Sequence, residues 1–182
     1  MAVILDFVLP FLLYLEHKWG ELNIMLGLND AKTLISAYKF IERTCKAVDE
    51  YIYNHAVNYG PDPEFCSTYS VINNIVDLME RKNKLIKLKN IIDDTLEKLS
   101  LLDRQILIIK MRFRTNIKNL QAILKIPSER TTFRRIDSAL NNFQTKLNQS
   151  QYAKDVEEII ESEHWILNIK QSLTSSSTLT TS

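Results

Sequence analysis

The feature that most constrains the fold of this chain is the spacing of its apolar residues, which recur every three or four positions over long stretches. In residues 29–56, for example, Leu34, Ala37, Ile41 and Cys45 fall on one face of a helix. The 182 residues include only three glycines and four prolines, so little in the sequence would punctuate strands and hairpins. The sequence therefore predicts an all-α protein.

Two long helices are expected in the first half of the chain. The first begins near Asn29, a residue type that caps helix starts, and ends before Gly60. The second runs from about Ser70 to about Leu99. A short connection joins them, so an antiparallel hairpin is expected. Residues 1–98 are predicted to form this helical hairpin or bundle, a dimerisation or partner-binding region through which a homodimer would form.

The first 26 residues contribute an apolar stripe of their own to this region. Their longest apolar run, Ala2 to Leu15, contains Asp6 and Pro10 and is shorter than the about 20 residues that a membrane-spanning helix needs. No integral membrane span is predicted, and an amphipathic helix that packs on a partner is expected instead. The stripe consists of Leu5, Val8, Leu12, Leu15, Trp19, Leu22 and Leu26.

Charge is segregated along the chain although the net charge is only +1. Residues 1–80 hold 5 basic and 11 acidic side chains, residues 104–150 hold 10 basic and 2 acidic ones, and residues 151–182 hold 2 and 5. A local excess of eight positive charges is typical of a surface that faces nucleic-acid phosphates. A solvated basic face without any partner is the alternative.

Three short helices are expected within residues 99–147, because the long stripes give way to short ones there. Ser100 can cap the first of them and Ser128 the third, and Pro127 keeps the chain extended just ahead of the second cap. The expected apolar positions are Leu102, Ile106, Ile109 and Phe113 in the first helix, Ile117, Leu120 and Leu124 in the second, and Thr132, Ile136, Ala139, Leu140 and Phe143 in the third.

The third of these helices carries basic and hydroxylic side chains opposite its apolar face. Two short helices, of which the second has such an N-terminal half, are typical of a helix-turn-helix that places its second helix in the major groove of double-stranded DNA. Arg130, Thr131 and Arg134 are the predicted base-reading residues. The predicted contacts to the DNA backbone come from Lys110, Arg112, Arg114, Lys118, Lys125, Ser128 and Arg135.

Three stretches of this region, LLDRQILIIKMRF, NIKNLQAILKI and SERTTFRRIDSAL, resemble region 4 of bacterial sigma factors and the phage and mobile-element regulators that carry the same module. Phe113 stands where that family ends its first helix in an aromatic residue, and residues 128–131 match the start of its recognition helix. The resemblance implies DNA binding, with RNA polymerase as a further partner. In the turn before the third helix, Lys125, Ile126 and Pro127 replace the family's tighter join.

No catalytic, metal or cofactor site is predicted. Cys45 and Cys66 lack a second Cys or His at ligand spacing, and His17, His55 and His164 are scattered over three segments. The chain has no glycine-rich phosphate loop and no nucleophile motif. A protein that is not an enzyme, with reduced thiols in the cytoplasm, is expected.

The preferred interpretation is a sequence-specific DNA-binding transcriptional regulator of bacterial, phage or mobile-element origin. A sigma-type RNA polymerase subunit with a diverged region 2 is one alternative. Another is a helical interaction module whose basic helices bind an acidic protein surface.

After the DNA-binding domain at residues 99–147, a C-terminal helix is expected at 148–171 and a disordered tail at 172–182, because SLTSSSTLTTS cannot bury enough apolar surface.

Overall fold

The computed structural model describes residues 25–57, 68–113 and 116–178, and all regular structure in these residues is α-helical, which confirms the predicted class. The part of the predicted stripe before Leu26 and nearly all of the connection predicted at about 58–68 lie outside the described residues. The helices are α1 (Leu28–Val57), α2 (Thr68–Glu97), α3 (Leu101–Phe113), α4 (Ile117–Leu124), α5 (Glu129–Asn148), α6 (Ala153–Ser162) and α7 (His164–Thr178).

Helices α1 and α2 lie side by side and run antiparallel. The Tyr38 hydroxyl donates to the Asp93 carboxylate at 2.6 Å, and Lys82 forms an ion pair with Asp49. Residue numbers therefore rise along one helix while they fall along the other. The apolar contact between the helices is built near these bridges, since Leu34, Ile41, Leu85, Leu88 and Ile92 are all buried.

The buried side chains form one continuous cluster to which every described helix contributes. Ile106 of α3, Leu120 of α4 and Phe143 of α5 belong to the same cluster as the α1–α2 residues. The predicted domain boundary between residues 98 and 99 therefore lies between two helices that share a core. Burial of this continuous apolar surface is the main source of stability for the helices, several of which are too short to be stable alone.

Leu26 attaches the start of the described chain to the far end of α5. Its N–H donates to Asn148 Oδ1 at 2.9 Å, and its carbonyl accepts hydrogen bonds from Asn148 Nδ2 and Gln144 Nε2 at 3.0 and 2.8 Å. Leu26 itself is buried. The entry into α1 is thus held against α5, although the two segments are more than a hundred residues apart in sequence.

The C-terminal part differs from the predicted single helix at 148–171. The chain breaks at Glu163, whose extended backbone (φ −98°, ψ 99°) separates α6 from α7. The break has a physical cause, because the Glu163 side chain is buried and binds Arg81 of α2 and Trp165 of α7. An uninterrupted helix would have to give up at least one of these contacts.

The predicted disordered tail at 172–182 is also wrong in its first part, because α7 continues to Thr178. Ser172 and Thr174 donate hydrogen bonds to helix carbonyls three and four residues earlier, and Ser175 does the same. Leu173 is half-buried. Local side-chain bonds and one apolar contact support the polar helix end. Residues 179–182 lie outside the described residues.

Candidate nucleic-acid interface

Each of the three helices α3, α4 and α5 begins with a side-chain cap. Ser100 Oγ accepts from the Asp103 N–H at 3.2 Å, Asn116 Oδ1 accepts from the Lys118 N–H at 3.2 Å, and Ser128 Oγ accepts from the Thr131 N–H at 3.2 Å. The caps at Ser100 and Ser128 were predicted. Together they fix where the short helices start, and so they set which side chains of α5 face the core.

The turn between α4 and α5 is closed by a Schellman motif. The Ile126 N–H donates to the Gln121 carbonyl at 3.0 Å, and the Lys125 N–H donates to the Ala122 carbonyl at 3.3 Å. Lys125 occupies the left-handed position of this motif, with φ 52° and ψ 41°, and Ile126 is buried. A buried isoleucine and a left-handed lysine thus form the turn in which the sequence has no glycine.

This turn yields a test of backbone strain. A left-handed conformation is unfavourable for any residue with a Cβ, and glycine is the usual occupant of this helix end. We expect the variant Lys125→Gly to be more stable than Lys125→Ala by about 1 kcal/mol, since both lose the charge and only one loses the Cβ. Urea unfolding followed by circular dichroism measures the difference, and equal stabilities would contradict the strained turn.

Helix α5 divides into a buried face and an exposed face as the spacing predicted. Thr132, Ile136, Ala139, Leu140 and Phe143 are all buried, which confirms every predicted core position of this helix. The Thr132 hydroxyl is satisfied because it donates to the Ser128 carbonyl at 3.0 Å. The core contact fixes the rotation of α5 about its axis.

The predicted base-reading residues lie on the other side of α5. Arg130 and Arg134 are exposed and one helical turn apart, and neither forms an ion pair with a described acidic side chain. Thr131 is half-buried, and its hydroxyl lies 2.8 Å from Ser128 Oγ. Two guanidinium groups are therefore available to a ligand, while the two hydroxyls already contact each other at the helix start.

The predicted backbone-contacting residues lie on α3, on α4, on α5 and in the turn between α4 and α5. Lys118 of α4, Lys125 and Ser128 of the turn, and Lys110 of α3 are exposed, while Arg135 is half-buried. The Arg112 side chain and Arg114 lie outside the described part of the structure. The exposed cations of this region therefore come from all three helices and from the turn between α4 and α5.

Sequence reasoning missed two apolar side chains of this region. Phe133 of α5 is 52% exposed and Ile123 of α4 is 57% exposed. Phe133 lines a groove of about 660 Å³ between α1, α3, α5 and α7, where Leu107 and Ile136 contribute apolar surface and Lys110 is also at the wall. An apolar residue directly ahead of two arginines, Arg134 and Arg135, was the signal that could have identified Phe133.

The described residues were also compared with what a metal site and a membrane-spanning helix require. None of their histidines, cysteines and carboxylates forms a group of three that could hold a metal ion. None of the helices in the described ranges combines the length and the apolar character that a bilayer crossing requires.

Cys45 of α1 is partly buried, and burial raises the pKa of its thiol, with Lys82 opposing the shift and Asp49 adding to it. The raised pKa lowers the fraction of reactive thiolate near neutral pH.

In a Cys66→Ser variant, we expect iodoacetamide to modify the folded chain several-fold more slowly than the urea-unfolded chain. The folded state holds the thiol proton more tightly, so this contribution to stability declines as pH rises above the ordinary thiol pKa of about 8.5. Equal modification rates would contradict the burial of Cys45.

No family model, curated protein or solved structure matches this chain. The resemblance to sigma factor region 4 remains a prediction from the sequence.

Proposed function

We propose that this chain is a sequence-specific DNA-binding transcriptional regulator in which α4 and α5 act as a helix-turn-helix. The observation that supports the proposal best is the exposed face of α5, where Arg130 and Arg134 stand opposite a fully buried face and beside a capped helix start. A helix presented in this way fits the major groove of B-DNA, which is about 12 Å wide.

The proposed recognition chemistry follows from the geometry of the side chains. An arginine guanidinium can donate two parallel hydrogen bonds to O6 and N7 of guanine, so Arg130 and Arg134 would each read one base pair. Thr131 would contact a neighbouring base or phosphate. Because Ser128 caps the start of α5, the N–H groups of the first turn and the positive end of the helix dipole would also lie near the phosphates.

Backbone contacts would hold the helix in register on the DNA. The described cations that support this role are Lys110, Lys118, Lys125 and Arg135, and the sequence adds Arg112 and Arg114. Their contribution would be electrostatic and independent of DNA sequence, because it arises from the release of condensed counterions. The proposed site of action is the cytoplasm.

Two alternatives predict different behaviour for the same surface. As a sigma-type subunit, the chain would bind RNA polymerase and direct transcription from a promoter. As a helical interaction module, it would bind an acidic protein surface, a reading that the exposed apolar residues Ile123 and Phe133 favour because apolar anchors strengthen protein interfaces.

Selection from randomised double-stranded DNA tests the proposal. The full-length chain is expected to enrich a short motif with guanines at the positions nearest α5, and methylation of guanine N7 in that motif should block binding. Transcription of a template carrying the motif by core polymerase alone, and with the chain added, separates a regulator from a sigma-type subunit. Failure to enrich any motif, with binding to acidic proteins retained, would favour the interaction module.

A further inference from the structure

The groove beside Phe133 has the size of a small-molecule site. Its volume is about 660 Å³, and its walls come from four helices that share one core. We call this space, which Phe40 of α1, Leu107 of α3, Phe133 of α5 and Ile169 of α7 border, the four-helix groove. Sites for small molecules in proteins usually have volumes of about 300–1000 Å³. The four-helix groove lies within this range.

Most of the side chains that line the four-helix groove are apolar. Four of them are buried members of the shared core, namely Ile35, Leu107, Ile136 and Leu140. Phe40, Ile169 and Leu173 are half-buried, and Phe133 is 52% exposed. Covering these last four side chains would remove apolar surface from water, which favours a ligand with an apolar body.

Three lysines and one carboxylate also line the groove, so its net charge is +2. Lys32 and Lys39 are half-buried, whereas Lys110 and Asp137 are exposed. The Lys39 ammonium group lies 4.7 Å from the centre of the Phe40 ring, which places this charge beside an apolar wall. Neither Lys32 nor Lys110 forms an ion pair with a described acidic side chain. An anionic group in the groove would supply the missing partner.

We propose that the four-helix groove binds a small anionic amphiphile, a molecule that carries one carboxylate or sulfonate group on an apolar body. The apolar body would cover Phe40 and Phe133, and the acidic group would pair with Lys32 and Lys39. Partly buried charges are screened less by water and salt than exposed ones, so these half-buried lysines would attract an anion more strongly than surface lysines do.

The length of the walls favours a small molecule over a protein as the occupant. The lining residues of α1 run from Lys32 to Phe40 and those of α5 from Phe133 to Leu140, so each wall extends for about two helical turns, or about 10–12 Å. A stable protein interface uses roughly 20–30 residues on each side. A second copy of this chain that placed the same surface here would bring its lysines against those of the first copy, and the like charges would repel.

Fluorescence titration of the full-length chain with two related probes tests the inference. 8-Anilinonaphthalene-1-sulfonate carries an acidic group, and N-phenyl-1-naphthylamine has the same rings without it. The wild-type chain is expected to bind both probes. Combining Lys32→Gln with Lys39→Gln should weaken binding of the sulfonate by about three-fold to 30-fold, because two partly screened charge pairs are lost. Binding of the uncharged probe should change by less than about twofold, since it has no charge to pair.

Lys46→Gln combined with Lys98→Gln is the matched control. Both lysines are exposed and neither lines the groove, so this variant loses the same charge elsewhere on the chain. It should bind both probes like the wild type. No DNA is present in these titrations, so their result does not depend on the proposed function.

Two further variants test the place of binding. Ser36 is half-buried on the α1 wall, and Ser36→Trp would fill part of the groove, so it should weaken binding of both probes by at least about tenfold. Phe133→Ala removes an exposed apolar side chain from the groove and should weaken both by several-fold. Circular dichroism checks that the helix content of each variant is unchanged.

Three results would overturn the inference. The first is a wild-type chain that binds neither probe, whether a second copy or residues 1–24 then cover the groove. The second is equal binding of the sulfonate by the wild type and by the Lys32→Gln, Lys39→Gln chain. The third is unchanged binding of both probes by Phe133→Ala, which would place the probes on another apolar surface.

Discussion

Replacing Arg130 and Arg134 together by alanine is expected to weaken binding to the preferred DNA site by about 30-fold to 10⁴-fold, because each bidentate guanine contact contributes about 1–3 kcal/mol. Binding to unrelated DNA should fall much less, since the lysines that contact phosphates remain. The variant should unfold like the wild type, because both arginines are exposed and outside the core. Fluorescence anisotropy with the selected site and a scrambled site measures both affinities.

Arg43→Ala is the matched control for this experiment. Arg43 is also an exposed arginine, but it lies on α1 rather than on the proposed recognition helix. Its removal should change specific and non-specific binding equally and only slightly. If the double variant kept its preference for the selected site over the scrambled one, α5 would not be the helix that reads the DNA.

The largest expected effect on stability comes from Arg81→Met. Arg81 Nε donates to Glu163 Oε1 at 2.9 Å, Arg81 Nη2 donates to Glu163 Oε2 at 2.8 Å, and the Trp165 indole N–H donates to Oε2 at 3.0 Å. Hydrogen bonding to Glu163 raises the pKa of the Arg81 guanidinium above its already high range. The Glu163 side chain is only 4% exposed, so removing Arg81 leaves a buried charge without its ionic partner. We expect a loss of about 3–5 kcal/mol in the free energy of unfolding.

A double variant separates the loss of the ion pair from the loss of packing. Arg81→Met combined with Glu163→Leu removes both charges and keeps apolar bulk, so it should recover a large part of the stability lost in Arg81→Met alone. Glu163→Leu alone should be milder than Arg81→Met, because the Arg81 side chain is 43% exposed and water can solvate its charge. Urea unfolding measures all four chains. A double variant less stable than Arg81→Met would contradict this account of Glu163.

The buried face of a helix could be predicted from the sequence where only one side of that helix packs against the core. On α5, the apolar spacing alone identified the buried face, because that face is continuous and its opposite side is polar. On α3 the prediction was partly wrong, since Leu102 is 37% exposed while Leu107, outside the predicted stripe, is buried. The reason is that α3 packs against both α1 and α5, so the buried arc of the helix is displaced from its most regular stripe.

The features that the sequence did not reveal depend on residues far apart in the chain. The break at Glu163 follows from its ion pair with Arg81, which is 82 residues away in sequence. The groove beside Phe133 requires four helices to meet. The left-handed backbone of Lys125 could not be predicted for another reason. Any residue can adopt that conformation at a moderate cost in free energy, and only glycine or asparagine at this position would have indicated it. In the candidate site, exposure of Arg130 and Arg134 was predictable, whereas the contact between Ser128 and Thr131 was not.

The dependence of DNA affinity on salt is the most direct test of the central claim. If the basic surface around α5 neutralises phosphates, the logarithm of the association constant for the selected site should fall linearly with the logarithm of the salt concentration, by about 0.9 for each phosphate contacted. Lys118→Ala should reduce the slope by about one contact without altering the preferred sequence. An affinity that is independent of salt, or no detectable binding at low salt, would contradict the proposal that this surface binds DNA.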